Sequence, residues 1–184
     1  MIIRWLLWLL AGLLLGGVVH LATILVLPRT ATQDAYARLV PITPVNGFAL
    51  LPAASAGAAP LPYMDPAFAV AVCRYDLSSM PMKLTVPVSP AYTSVTFYTR
   101  NGVAFYAIND RAAGRRTIDL DLMTTPQRDA LPNEQDITAA DRLIIEAPTT
   151  TGMIVARAMA PEPGQMERAR ASLTTARCQP QPSS

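Results

Sequence analysis

The uncharged apolar run near the N-terminus constrains this chain more than any other feature. From Trp5 to Leu27 it reads WLLWLLAGLLLGGVVHLATILVL, without one charged side chain. About 20 such residues, each rising ~1.5 Å along a helix, cross the ~30 Å hydrocarbon core of a bilayer. The core helix of a soluble domain would keep a polar stripe, which this run lacks. The run therefore predicts a single transmembrane helix, with residues 1–28 as an anchor in the lipid bilayer.

A cleaved signal peptide is the main alternative, because the run is N-terminal and Arg4 precedes it. However, the run exceeds the usual ~7–15 apolar residues of a signal peptide, and no good small-x-small cleavage site follows it. Arg4 lies on one side of the run, and Arg29 and Arg38 lie on the other. We expect an uncleaved anchor in a bacterial inner membrane, with the N-terminus in the cytoplasm and the C-terminal domain in the periplasm.

One face of the anchor carries small and polar residues. Gly12, Gly16 and His20 are spaced four residues apart, so they share a helix face. Such a face lets another helix approach closely and offers His20 a hydrogen-bonding partner. Alternatively, the glycines reflect the ordinary composition of membrane helices, and His20 stays neutral and hydrated. Both interpretations remain open at the level of sequence.

Composition excludes several chemistries. His20 is the only histidine, which removes Ser-His-Asp catalysis, Cys-His catalysis and His-based zinc sites from the outer domain. Neither a Cys-x-x-Cys pair nor a phosphate-binding glycine loop occurs, and Asp119 with Asp121 supplies too few oxygens for a hard cation. A net charge of +2 is too balanced for a nucleic-acid surface. We expect no catalytic residue, metal, cofactor or nucleic-acid partner, and nothing supports an enzyme.

Residues 29–66 predict a short helix and a connector. The helix covers Thr30–Val40, with Thr30 or Thr32 as its cap. Prolines then recur too densely for a helix or a central strand. They are Pro41, Pro44, Pro52, Pro60, Pro62 and Pro66.

Short strands separated by turns follow over residues 67–178. The predicted strands are Phe68–Tyr75, Lys83–Val88 (an edge strand because of Pro87), Tyr92–Arg100, Val103–Ile108, Thr117–Leu122, Leu143–Glu146 and Met153–Met159. Helical segments are predicted at Thr125–Leu131, at a turn capped by Thr138 and Asp141, and at Gln165–Arg177. This pattern favours a mainly β fold, a small jelly-roll-like sandwich with a C-terminal helix, over an α+β layer. Residues 179–184 are expected to be a disordered tail.

Alternation assigns faces to two of these strands. Ala69, Ala71 and Cys73 share one face of the first strand, a smooth surface on which the last helix would rest. That packing would bring Cys178 near Cys73 and predicts a disulfide, although two unrelated buried cysteines remain the alternative. In the Thr117–Leu122 strand, alternation predicts that Asp119 and Asp121 face water, whereas the inward residues are Ile118, Leu120 and Leu122.

Asn101-Gly102 is a strong hairpin signature between two aromatic strands. A two-residue turn would place Tyr98 opposite Phe105 and Phe97 opposite Tyr106. Both faces of this hairpin would be apolar, so we expect it to be buried between the core and a helix or another subunit. We predict a face for a partner or a ligand that is formed by Tyr92, Tyr98, Arg100, Phe105 and Tyr106.

The run Asp76-Leu-Ser-x-x-Pro81, then Leu84-Thr-Val-Pro87, then Tyr92 before an aromatic strand, resembles a bacterial family. That family is called domain of unknown function twelve fifty-four, and the likeness covers residues 65–110. The resemblance implies a jelly-roll sandwich without assigned catalytic residues. Longer members carry a second domain, twelve fourteen, which this chain is too short to hold, so the resemblance implies a separately encoded partner.

These observations lead to two hypotheses about function. The first is an accessory or structural subunit that pairs with another membrane-anchored sandwich or with a second copy of itself, through the aromatic hairpin. The second is a small-molecule-binding or hydrolytic envelope domain with an aromatic pocket lined by Tyr92, Tyr98, Tyr106 and Arg100. A cavity above ~300 Å³ with converging polar groups would favour the second hypothesis.

Overall fold

The computed structural model describes residues 1–30, 34–55, 59–113, 116–131 and 143–181. The chain forms two compact units, Met1–Asp34 and Ala35–Ser184. The first is a long helix, α1 (Ile2–Thr30). Thr30, a candidate cap of the predicted helix Thr30–Val40, is therefore the last residue of α1. Its segment Ile2–Leu27 has the length and apolar character to cross a membrane, and none of it is buried within the protein. Both an anchor and a signal sequence have these properties.

The second unit is a sandwich of two mostly antiparallel sheets, as the strand pattern predicted. The first sheet has the order β1 (Phe48–Leu50), β2 (Phe68–Asp76), β8 (Thr151–Met159), β4 (Thr93–Thr99) and β5 (Ala104–Asn109). The second has the order β7 (Leu143–Glu146), β6 (Thr117–Met123), β3 (Met82–Pro87) and β9 (Arg177–Pro180). Only β6 and β7 run parallel among the described strands.

Short helices connect and cover these strands. They are α2 (Ala35–Leu39), α3 (Asp110–Ala113), α4 (Thr125–Asp129) and α5 (Met166–Thr174). The helix predicted over Thr30–Val40 is thus limited to α2, and its other candidate cap, Thr32, lies outside the described residues. Helix α4 is capped by Thr124 instead of Thr125, and the Gln127 side chain accepts a hydrogen bond from the Thr124 amide at 2.9 Å. The turn predicted at Thr138 and Asp141 also lies outside the described residues.

The interior between the sheets is filled by side chains from both. On β2 the predicted alanine face points inward, and Ala69, Ala71 and Cys73 are at most 2% exposed. Helix α5 packs on this face, with Ala169 and Leu173 buried in the same core. Small residues on β2 permit this close helix packing, which is the arrangement that the alternation predicted.

Two predictions about the second sheet are wrong. Strand β3 is not at an edge, because it lies between β6 and β9. Pro87 is tolerated there because it is the last residue of the strand, where a missing N–H interrupts no further ladder bonds. Residues 179 and 180, assigned to a tail, belong to β9, which pairs with β3 through Leu84 and Cys178.

The prediction that both aspartates of β6 face water is wrong for one of them. Asp119 is exposed and accepts hydrogen bonds from the hydroxyls of Thr85 and Thr117, each at 2.7 Å. Asp121 is only 3% exposed, although it lies on the outer side of the sheet. It lies between Lys83 on β3 and Ile144 on β7 in the sheet register. Alternation identifies the side of the sheet but not whether that side is covered.

Tyr75 provides a prediction about alkaline pH. Its side chain is buried, with the residue 1% exposed, and its hydroxyl donates to the Tyr98 carbonyl oxygen at 3.3 Å. Burial raises the pKa of this hydroxyl above its ordinary value of 10.0, because the phenolate would lose its hydration. The folded state therefore favours the protonated form. This stability is fully present below pH 10 and is lost as the pH rises toward the folded-state pKa.

We expect the free energy of unfolding to fall above pH 10 more steeply in the wild type than in Tyr75→Phe. At pH 7 the variant should lose about 1 kcal/mol, since it lacks one buried hydrogen bond. Urea unfolding at pH 7 and at several pH values above 10 measures both effects. Equal slopes with pH in the two proteins would contradict the burial argument.

Candidate functional site

The predicted disulfide is present and joins the two sheets. Cys73 of β2 and Cys178 of β9 are bonded, with 6.5 Å between their Cα atoms and a sequence separation of 105. Both residues are buried at 0% and 1% exposure. The bond therefore links β9 of the second sheet to β2 of the first sheet, across the core.

The aromatic hairpin has only part of the predicted register. Phe97 lies opposite Tyr106, as expected, with their ring centroids 5.9 Å apart. Tyr98 lies opposite Ala104 instead of Phe105, because the register shifts between Phe97 and Tyr98. The connection is also longer than two residues, since the Thr99 amide donates to the Val103 carbonyl oxygen at 2.9 Å.

Within the described chain this hairpin is only partly buried, and its burial against another subunit stays a prediction. Strand β5 is an edge strand, paired with β4 alone among the strands that the structure describes. Phe105 and Tyr106 are half-buried, whereas Ala104 and Ala107 are exposed, and Val103 in the connection is 63% exposed. An apolar edge is thus left open to other molecules.

A second apolar cluster covers the outer face of the five-stranded sheet. It contains Leu39, Leu51, Val72 and Met153, with partly buried neighbours that include Leu61 and Met64. These residues come from α2, from the connector and from the sheet. The connector residues around positions 51 and 61–64 are therefore part of the domain surface above the sheet.

The guanidinium groups of two arginines lie over the ring of Tyr36 on α2. The Arg100 guanidinium carbon lies 4.6 Å from the ring centroid, and that of Arg74 lies 5.6 Å away. Arg74 also donates to the Thr43 carbonyl oxygen at 2.7 Å. Arg100 of the hairpin thus connects to α2 and does not point into a pocket with the tyrosines.

We expect Tyr36→Ala to lower the free energy of unfolding by about 2 kcal/mol, because it removes two cation–π contacts and apolar packing. The control is Tyr63→Ala, since Tyr63 is fully exposed and should change stability by less than about 0.5 kcal/mol. Thermal and urea unfolding of the two variants measure the difference. Equal losses would contradict a role for Tyr36 in fastening α2 to the hairpin.

An open cavity of about 520 Å³ lies on the outer face of the five-stranded sheet. Tyr92 and Tyr98 line it, together with residues of β2 and β8, of α2 and of the segment Leu61–Asp65. Tyr106 and Arg100, predicted for the same pocket, do not line it. Arg157 also lines it and was not identified from the sequence, although it is a lone charge in the otherwise uncharged strand Met153–Met159.

The remaining candidate residues, Gly12, Gly16 and His20, lie in α1. Gly12 and Gly16 lie in α1 with open space around both, so their pairing role stays a prediction, as does that of His20. Within the described ranges, no group of three or more His, Cys, Asp or Glu side chains could hold a metal ion.

Comparison with known protein families matches residues 46–180 to the family described as "Protein of unknown function (DUF1254)". The match includes every strand from Phe48 to Pro180. The chain belongs to this family. None of the curated proteins matches it.

Two solved structures are similar to this DUF1254 chain. The crystal structure of the VPA0106 protein from Vibrio parahaemolyticus matches with a TM-score of 0.52 and 13% identity, covering 74% of this chain and 30% of that one. A putative uncharacterised protein from Burkholderia cenocepacia matches with a TM-score of 0.47 and 14% identity, covering 79% of this chain and 36% of that one. The likeness to VPA0106 shows a shared fold. This chain spans about a third of the length of either protein.

Proposed function

We propose that this DUF1254 protein is an accessory subunit, tethered in the bacterial inner membrane, that pairs with a second β-domain on the periplasmic side. The open edge of β5 carries this proposal. Strand β5 has six residues and is longer than the edge strands β1, β7 and β9, which have three or four. A long apolar edge strand is a template for pairing with another chain.

Aromatic side chains at this edge add apolar area to the proposed interface. Phe105 and Tyr106 are half-buried and contact Phe97, which is itself fully buried. A docked strand or sheet would cover the exposed part of these rings together with Val103. Aromatic residues are enriched at the centres of protein interfaces, because they bury a large area at low entropic cost.

The family and the VPA0106 structure support a particular kind of partner. This chain matches less than a third of the VPA0106 chain, which therefore contains much polypeptide outside the shared sandwich. The family resemblance implies that longer relatives carry a second sandwich domain. A separate chain with such a domain could pair with the edge of β5. A second copy of this chain is the alternative partner for the β5 edge, and the cross-linking experiment below distinguishes the two partners.

Placement outside the cytoplasm has independent support from the disulfide. Disulfides persist in oxidising compartments such as the periplasm and are rare in the cytosol. With α1 uncleaved, the sandwich would stay at the membrane surface. The face of Gly12, Gly16 and His20 would then allow α1 to pack against a partner's membrane helix.

A photoreactive residue at Val103 tests the pairing in the native bacterium. We expect one discrete cross-linked product from this position in isolated membranes. The matched control is Leu143, an exposed apolar residue at the edge strand β7, from which no product is expected. A product of twice the 19.8 kDa chain mass would indicate a second copy, and another mass would indicate a different subunit. Equal yields from both positions, or a strict monomer in mild detergent, would contradict the proposal.

A further inference from the structure

The cavity on the outer face of the five-stranded sheet contains one cation on an apolar floor. Arg157 lies on β8, between Val70 of β2 and Ser94 of β4 in the sheet register. Its side chain is exposed, and it makes no hydrogen bond or ion pair within the described part of the chain. A guanidinium presents several N–H donors in a planar fork that matches a carboxylate, and here that fork is available.

The walls around Arg157 are largely apolar. Val70, Val72, Met153 and Val155 form the floor of the cavity, and Leu39 with Leu61 and Met64 form the side opposite the sheet. Tyr92 and Tyr98 border the floor along β4. The volume of about 520 Å³ lies within the ~300–1,000 Å³ that is typical of small-molecule sites.

Asp65 is the single acidic residue of this lining, and it is already engaged. Its Oδ1 atom accepts a hydrogen bond from the Ala67 amide at 2.8 Å, within a tight turn. It forms no ion pair with Arg157 among the described residues. Arg157 is also the single cation of the lining, so the site favours a ligand with one negative charge over a phosphate dianion.

The rim of the cavity has an unusual backbone. Tyr63 has a φ of 58°, in the left-handed region that bulky residues rarely adopt. Its side chain is fully exposed at the edge of the cavity. The segment Leu61–Asp65 thereby presents an aromatic ring to solvent beside the apolar floor, where it is available to cover a bound hydrocarbon chain.

We propose that this cavity binds an anionic single-chain amphiphile, a long-chain carboxylate whose headgroup pairs with Arg157. The hydrocarbon chain lies along the floor formed by β2 and β8. Charge complementarity selects this occupant, since a carboxylate can form a bidentate pair with the Arg157 guanidinium, whereas an uncharged lipid offers it no ion pair. The inference is independent of the proposed pairing at the β5 edge, which lies on other residues.

Photolabelling of the full chain in zwitterionic lipid nanodiscs tests this assignment. The probe is a diazirine-bearing dodecanoate, and labelled peptides are mapped by mass spectrometry. We expect labelling of peptides from β2, β8 and the segment Leu61–Asp65. Competition by dodecanoate should abolish this labelling, whereas dodecanol, with the same chain and no charge, should compete at least about tenfold less well.

Matched variants separate the site from general changes in charge. Arg157→Gln should lower the affinity for dodecanoate at least about tenfold, because a charge-assisted pair is lost. Arg168→Gln removes an exposed arginine from α5 and should leave affinity unchanged. Ser94→Trp fills the cavity and should abolish labelling, with thermal unfolding showing that each variant is folded. Labelling confined to α1, equal competition by dodecanol, or unchanged affinity in Arg157→Gln would overturn the proposal.

Discussion

Removal of the Cys73–Cys178 disulfide is expected to lower the free energy of unfolding by about 4–5 kcal/mol. The bond closes a loop with a sequence separation of 105 residues, so it strongly restricts the unfolded chain. It also fixes the four-residue strand β9, which pairs with β3 alone among the described strands. A loss of this size is a large part of the ~5–15 kcal/mol that is typical of natural domains.

Urea unfolding of Cys73→Ala, Cys178→Ala and the double variant measures this loss. Either single substitution breaks the same covalent bond, so all three proteins should be destabilised to a similar degree. The wild type unfolded in reducing buffer serves as the control and should approach the variants. A loss below about 1 kcal/mol in the double variant would show that the cross-link is not what fixes β9.

Gly152→Ala is expected to cost about 3 kcal/mol. Gly152 of β8 lies opposite Tyr75 on β2 and Thr99 on β4. A Cβ atom there would lie well inside 3.0 Å of the Tyr98 carbonyl oxygen and of the Tyr75 hydroxyl. The carbonyl belongs to the backbone of the adjacent strand, so it cannot move aside without disturbing the β4–β8 ladder.

Gly164→Ala is the matched control for this substitution. A Cβ atom added at Gly164 would meet no other atom within 4 Å, and the φ of this glycine is not positive. Its replacement should change stability by less than about 0.5 kcal/mol. Thermal unfolding of both variants makes the comparison, and equal stability of the two would contradict the close packing of Gly152 against Tyr75.

The sandwich could be predicted because most of its strands are long enough for alternation to be visible. Strand β7 has the predicted bounds, Leu143–Glu146, and the inward face of β2 has the predicted alanines. Strand β1 was not predicted because it has three residues in a proline-rich segment, where no period can be recognised. Strand β9 was missed for a similar reason, since Arg177 and Cys178 also continue the pattern of the preceding helix.

Residues of the candidate site were harder to predict than the fold. The disulfide could be predicted because the alanine face of β2 requires a close neighbour, and α5 ends beside Cys178. The cavity could not be predicted, because its floor and its walls come from segments far apart in sequence. The predicted hairpin register is wrong at Tyr98 because one extra residue of β5 shifts the pairing there, and the Asn101-Gly102 pair does not indicate such a bulge.

The state of the mature chain in the envelope tests the central claim most directly. The measurement combines the intact mass of the protein from membranes, without reduction, with digestion of intact spheroplasts by added protease. An anchored periplasmic subunit should have the mass of a chain that retains Trp5–Leu27, contain no alkylatable thiol, and lose its sandwich to the protease. A chain that begins beyond Pro28, or one with two free thiols and a protected sandwich, would contradict the account.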